Sequence, residues 1–244
     1  VDFGLSTGVR ASLGHVSMRV PGEPDKFLVK GRGYRLDTLA RMRPEDLVVC
    51  VLDANLVEAQ PNIVPCFEVK IHSCIYKARP DVQVVVHAHT PEFVAFGVSS
   101  APLYWGPDKQ VPVWDIRPVN KNRNGIVSSN PLGEAMAQKL GQNEAVLLWG
   151  HGITLTAKSL PEAIHRVIAL RANARMQLAA TSIGSAGKPE SIVDDAAADQ
   201  TAWDHYKRID LKSENGKVPV NPAPMPAKPS DPVGAARHDL VMAN

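Results

Sequence analysis

Apolar residues along this chain recur at two spacings, which divide it into an alternating series of strands and helices. Leu13 to Arg19 and Lys26 to Lys30 are strand-like and flank Pro21-Gly22-Glu23-Pro24-Asp25, a run of turn formers, so a hairpin is expected there. Lys30-Gly31-Arg32-Gly33-Tyr34 then reads as a glycine-rich loop carrying two cations. Arg43-Pro44-Glu45-Asp46 leads into Leu47 to Leu52, a buried strand, and Asp53-Ala54-Asn55 turns it back into a short strand at Leu56-Val57. Glu68 to Arg79 carries Ile71, Cys74 and Ile75 at helical spacing after Pro65, whereas Val82 to His89 is a β-branched run too short for a helix.

Further on, Thr90-Pro91-Glu92 opens a short helix to Val98, with Thr90 as its N-cap. Val111 to Ile116 is strand-like, and Pro131 to Leu140 is a helix stopped by Gly141. Ala145 to Trp149 and Ile153 to Ala157 read as strands on either side of Gly150-His151-Gly152. Ser159-Leu160-Pro161-Glu162 starts a long helix that keeps its apolar spacing to about Ile183, and a second helix is expected from Pro189 to about Ser213. From Gly216 onward prolines crowd a polar stretch, which predicts one domain over 1–215 and an extended tail over 216–244. Such an arm hangs free or wraps a neighbouring subunit, and wrapping is the expectation.

The chemistry concentrates where two strands end. Alternation puts His87 and His89 on one face about 6.6 Å apart, from a rise of roughly 3.3 Å per residue, a separation that suits two imidazoles converging on one metal ion. His151 sits between glycines, where backbone can approach a ligand closely. Three histidines leave coordination positions open, as in a catalytic rather than a structural site, and Glu68 adds a carboxylate. A lone His-X-His is more often a hydrogen-bonded, half-buried pair; the coincidence of all these pieces is what points to a metal. Lys30 and Arg32 fit a solvated loop and an anion-binding loop equally well. Trp105 and Trp114 read as packing, with the lining of a pocket for a planar substrate as the alternative. His165 and Cys50 read as packing residues.

Composition narrows the class. The 244 residues, 44% hydrophobic, suffice for one sizeable core. A net charge of +2, from 27 basic and 25 acidic residues spread along the chain, gives no bias toward nucleic acid or membrane. Cys50, Cys66 and Cys74 form no Cys-X-X-Cys and are odd in number, which argues against a disulfide framework and for a reducing cytoplasm. No apolar run approaches the roughly 18 residues of a spanning helix, and Val1 to Met18 lacks the layout of a signal peptide. Residue 1 is Val, so a trimmed chain is expected.

At these residues the chain resembles the class II aldolase/adducin family over roughly residues 5 to 180. The family's catalytic Glu, its His-X-His and its Gly-His-Gly are matched by Glu68, His87, His89 and His151, and its Gly-Asn-(Ile/Val)-Ser-X-Arg loop by Gly14-His15-Val16-Ser17-Met18-Arg19, with His for Asn. The resemblance implies an α/β, three-layer α/β/α fold with a central, mostly antiparallel sheet. It further implies one zinc or manganese ion per subunit on His87, His89 and His151, Glu68 as proton donor and acceptor, and a homotetramer. A neighbour's C-terminal residue would reach the site, here Tyr206 or His205, although a packing helix fits those two residues equally.

Where family aldolases hold a sugar phosphate with small hydroxyls and an amide, this chain has Gly14-His15, Lys30-Gly31 and Cys66-Phe67, so phosphate is a poor expectation. Gly-His-Val-Ser-Met-Arg with Lys-Gly-Arg-Gly-Tyr is similar to the family's decarboxylase branch. That implies a small aromatic or heteroaromatic hydroxylated (di)carboxylic acid as substrate, with His15, Lys30 and Arg32 contacting it. Retro-aldol cleavage of an unphosphorylated hydroxy-keto substrate and a non-catalytic adducin-like assembly module are the alternatives.

Overall fold

Pro21 and Gly22 turn the first strand, β1 (His15–Val20), straight back into β2 (Glu23–Arg32), with Val20 opposite Glu23. The computed structural model describes residues 14–33, 42–106, 109–119, 125–183 and 231–243. After a 3-10 turn at Pro44–Asp46 come β3 (Leu47–Val51), β4 (Leu56–Glu58), β5 (Val64–Pro65), α1 (Val69–Ala78), β6 (Val84–Ala88) and α2 (Pro91–Val98). The remainder is β7 (Tyr104–Gly106), β8 (Lys109–Gln110), β9 (Val113–Trp114), α3 (Asn130–Leu140), β10 (Ala145–Leu148), β11 (Gly152–Ala157), α4 (Leu160–Ser182) and α5 (Pro232–Ala243).

Among the described residues the main sheet runs β4-β3-β2-β1-β6-β11-β10-β9, with β5 paired to β2. Every pairing is antiparallel except β9 with β10. Strand alternation gives the sheet two apolar faces. Val84, Val86, Leu28 and Leu147 pack with Phe93 of α2, Val167 and Leu170 of α4 and Leu240 of α5. Val85, Phe27, Val29 and Val146 pack with Ile71 and Ile75 of α1 and Met136 and Leu140 of α3. The result is the expected three-layer α/β/α arrangement with a mostly antiparallel sheet. No helix among the described residues is long and apolar enough to cross a membrane.

Three expectations are corrected. The glycine-rich loop at Lys30 to Tyr34 is strand through Arg32, where Gly31 pairs with Pro65. A side chain at Gly31 would run into the Asp46 carbonyl, so this glycine serves close packing between backbones rather than loop freedom. The strand predicted over 111–116 shrinks to Val113–Trp114, because Pro112 has no N–H to give a ladder and offers only its carbonyl, which accepts from Leu147 at 2.8 Å.

The tail expected to be extended over 216–244 is helical at Pro232–Ala243 and lies on this chain's own sheet, with Leu240 fully buried. A start signal lies inside the proline-rich run: Asp231 Oδ1 accepts from Gly234 N–H at 2.6 Å, Pro232 takes the first turn, and Val233, Ala236 and Leu240 follow at helical spacing. The helix predicted over 189–213 lies outside the described residues.

Candidate metal centre

Strand alternation turns His87 toward α1, because its neighbours Val86 and Ala88 face the other core. Two residues on, His89 follows the strand end. β10 stops at Leu148, the chain turns through Trp149 and Gly150, which has φ +61°, and His151 N–H closes the turn on the Leu148 carbonyl at 3.0 Å. β11 then lies so near β6 that a side chain at Gly152 would meet the Ala88 carbonyl, and this approach sets His151 beside His89. Glu68 is the N-cap residue of α1, so its carboxylate lies at the positive end of the helix.

These elements bring four ligand atoms within 4.8 Å of one another. His87 Nε2 is 2.9 Å from His89 Nε2 and 3.3 Å from His151 Nε2. Glu68 Oε2 is 3.5 Å from His87 Nε2 and 3.4 Å from His151 Nε2, while its Oε1 accepts the Val127 N–H at 2.9 Å. All four residues are buried.

The arrangement fits a divalent ion. Nitrogen–metal bonds of about 2.0–2.1 Å around a tetrahedral ion separate two nitrogens by roughly 3.3 Å, close to what the imidazoles show. Burial pushes the His87 pKa down to about 4 and holds His89 well below the usual value, so both rings are neutral and offer lone pairs. The other ring nitrogen of His87 lies 3.1 Å from Thr154 Oγ1, and an Nδ1–H donated there leaves Nε2 free as a ligand. Nδ1 of His89 and of His151 has no hydrogen-bond partner among the described residues. Burial opposes ionisation of Glu68, but the facing His15, His151 and His87 outweigh it and hold its carboxyl well below the ordinary value.

His15 opens β1 directly across from His87, with ring centroids 4.9 Å apart and Nε2 3.8 Å from Glu68 Oε2. Lys30 is buried on β2, and its charge helps burial to lower the His15 pKa. Arg32 donates Nε–H to the Pro65 carbonyl at 3.1 Å and lays its guanidinium 3.9 Å over the ring of Phe67, the exposed residue before Glu68. Tyr206 and His205 lie outside the described residues. Trp105 and Trp114 are buried in the two cores, as packing residues.

Several partners of the site were given no role of their own from the sequence. Thr154 stands opposite His87 on β11. His72 lies one turn after Glu68 on α1, and that four-residue spacing was the available signal. Ser17 and Tyr76 hydrogen-bond behind His72. Arg19 is a clamp, donating to the carbonyls of Val82 at 2.9 Å and Tyr76 at 2.7 Å.

A three-layer fold with an imidazole-rich pocket at its strand ends, able to hold one metal ion beside a buried carboxylate, defines the class. Residues 2–178 match the family model described as Class II Aldolase and Adducin N-terminal domain, and the chain belongs to that family. It is 30% identical over 222 residues to 3,4-dihydroxyphthalate decarboxylase of Rhodococcus jostii (strain RHA1), covering 88% of this chain and 86% of that protein. To the enzyme of the same name from Arthrobacter keyseri it is 31% identical over 224 residues, covering 83% and 86%. In fold it is similar to an L-fuculose 1-phosphate aldolase, with a TM-score of 0.61 at 21% identity over 84% of this chain and 89% of that one.

Proposed function

We propose that this protein is a metal-dependent carbon–carbon lyase that removes carbon dioxide from a hydroxylated aromatic or heteroaromatic dicarboxylic acid. The observation that carries the reading is the convergence of the His87, His89 and His151 Nε2 atoms with Glu68 Oε2, in a chain about 30% identical to two proteins named as decarboxylases of such an acid.

His87, His89 and His151 would hold a zinc or manganese ion, which supplies positive charge to stabilise an oxyanion on a chelated substrate. Glu68 is the proton carrier: as a carboxylate its Oε2 takes the proton of the substrate hydroxyl and passes it to the ring carbon that bears the leaving carboxylate. Carbon dioxide departs as that carbon gains hydrogen, and the phenolate left behind recovers a proton from solvent. His15, beside Glu68, contacts the hydroxyl. Lys30 and Arg32, both on β2, would pair with the second carboxylate. The assembly is a homotetramer in which Tyr206 or His205 of a neighbour approaches the site, and three free cysteines fit the reducing cytoplasm.

Incubating metal-loaded protein with hydroxylated aromatic dicarboxylates and following carbon dioxide release tests this. Cleavage of an unphosphorylated hydroxy-keto acid with no decarboxylation makes the protein a retro-aldolase instead. Protein purified without added metal that contains none on elemental analysis points to an assembly module.

A further inference from the structure

Behind Glu68 runs a series of buried hydrogen bonds that the decarboxylation scheme does not use. Tyr76 Oη is 2.8 Å from Ser17 Oγ, which is 2.6 Å from His72 Nδ1. His72 Nε2 is 2.7 Å from His15 Nδ1, and His15 Nε2 faces Glu68 Oε2 at 3.8 Å. Tyr76, Ser17, His72 and His15 are all buried.

A neutral hydroxyl or imidazole in such a chain has one hydrogen to give, so the chain points one way. Both ends are pure acceptors: the Gln83 carbonyl, 3.3 Å beyond Tyr76 Oη, and the Glu68 carboxylate. Four hydrogens cannot serve five contacts, so one end goes without. The Gln83 carbonyl already accepts from Arg19 N–H at 2.9 Å, whereas a lone pair on His15 Nε2 would face the negative carboxylate 3.8 Å away, which attracts an N–H instead. The hydrogens therefore run from Tyr76 toward Glu68. Ser17 donates to His72 Nδ1, His72 Nε2–H to His15 Nδ1, and His15 presents Nε2–H to the site. His15, His72 and Cys66 also bring ligand atoms within 4.8 Å, but the proton shared by the two imidazoles occupies the lone pair a second ion would need.

We propose that Tyr76, Ser17 and His72 are positioning residues that lock His15 in its Nε2–H tautomer, so that His15 holds its one Nε2–H toward the Glu68 carboxylate and the substrate oxygen bound beside it. The inference rests on Glu68 being the proton carrier of the reading above.

The test is the tautomeric state of the rings in zinc-loaded, histidine-15N-labelled protein, read from long-range proton–nitrogen spectra and assigned with His15→Gln and His72→Gln. Nε2–H signals for both rings are expected; Nδ1–H or a doubly protonated ring at either position at neutral pH overturns the proposal. In turnover, Ser17→Ala is expected to lower kcat about tenfold, the size of one lost hydrogen bond to a charged system, at unchanged zinc content, with recovery in Ser17→Thr. Full kcat in Ser17→Ala also overturns it. Both rings as Nε2–H in a protein that releases no carbon dioxide supports the chain and rejects the decarboxylase reading.

Discussion

Thr154→Val removes one oxygen and changes almost nothing else in shape, and it isolates what the proposed ligand role of His87 requires. Thr154 is fully buried and cross-strand from His87, whose Nδ1 it meets at 3.1 Å. Valine leaves that Nδ1–H buried without an acceptor, at a cost of about 1–3 kcal/mol to the folded protein. It also releases the ring to the other tautomer, in which Nε2 carries the hydrogen and no lone pair faces the pocket. Losing the partner that orients a ligating histidine lowers metal affinity by about 10- to 100-fold, or ~1.4–2.7 kcal/mol of binding. Competition of the protein against a chromophoric zinc chelator reads the affinity, and urea unfolding of the metal-free protein reads the stability. Wild-type zinc affinity in this variant would show that the threonine does not set the His87 tautomer, and the ligand assignment of His87 Nε2 would lose its support.

Other perturbations separate the remaining roles. Glu68→Gln keeps an oxygen for the Val127 N–H, so metal content should persist while carbon dioxide release falls by about 100-fold or more; turnover within a few-fold of wild type refutes the proton-carrier role. Leu240→Ala should cost about 2–5 kcal/mol in urea unfolding because that side chain is fully buried under α5, and a change under ~0.5 kcal/mol would detach α5 from the core. Burial lowers the pKa of His72 and of His87, the latter to about 4, whereas the unfolded chain titrates near 6.5. The unfolded state therefore binds more protons below about 6.5, and the metal-free protein should lose stability as pH falls from there toward 4. Urea midpoints at pH 7.5 and pH 5 that coincide would contradict this.

Local signals were legible where the sequence itself decides the structure. The β-branched run ending at Ala88, the Ser159 and Pro161 start of α4, and the Gly141 stop of α3 each announce themselves within a few residues. The convergence of His87, His89 and His151 was legible because each lies at or just past a strand end, near turn residues or glycines. Pairing across the sheet was not, since the choice of β6 as the neighbour of β1 depends on which faces both strands bury, and with it went the approach of His15 to His87. Gly31 looked like loop because a glycine's two uses, freedom and closeness, read identically in sequence. In the tail, Val233, Ala236 and Leu240 kept a helical period that the surrounding prolines obscured.

The missing side chain at Gly152 has an architectural consequence. Because β11 is pressed against the Ala88 carbonyl, the gap across which the three imidazoles meet is inherited from the ladder of main-chain bonds rather than from the rings. The mounting and the donors are thus separable: exchanging His89 for aspartate or cysteine would change the donor set of the proposed metal site while leaving its location in the scaffold as it is.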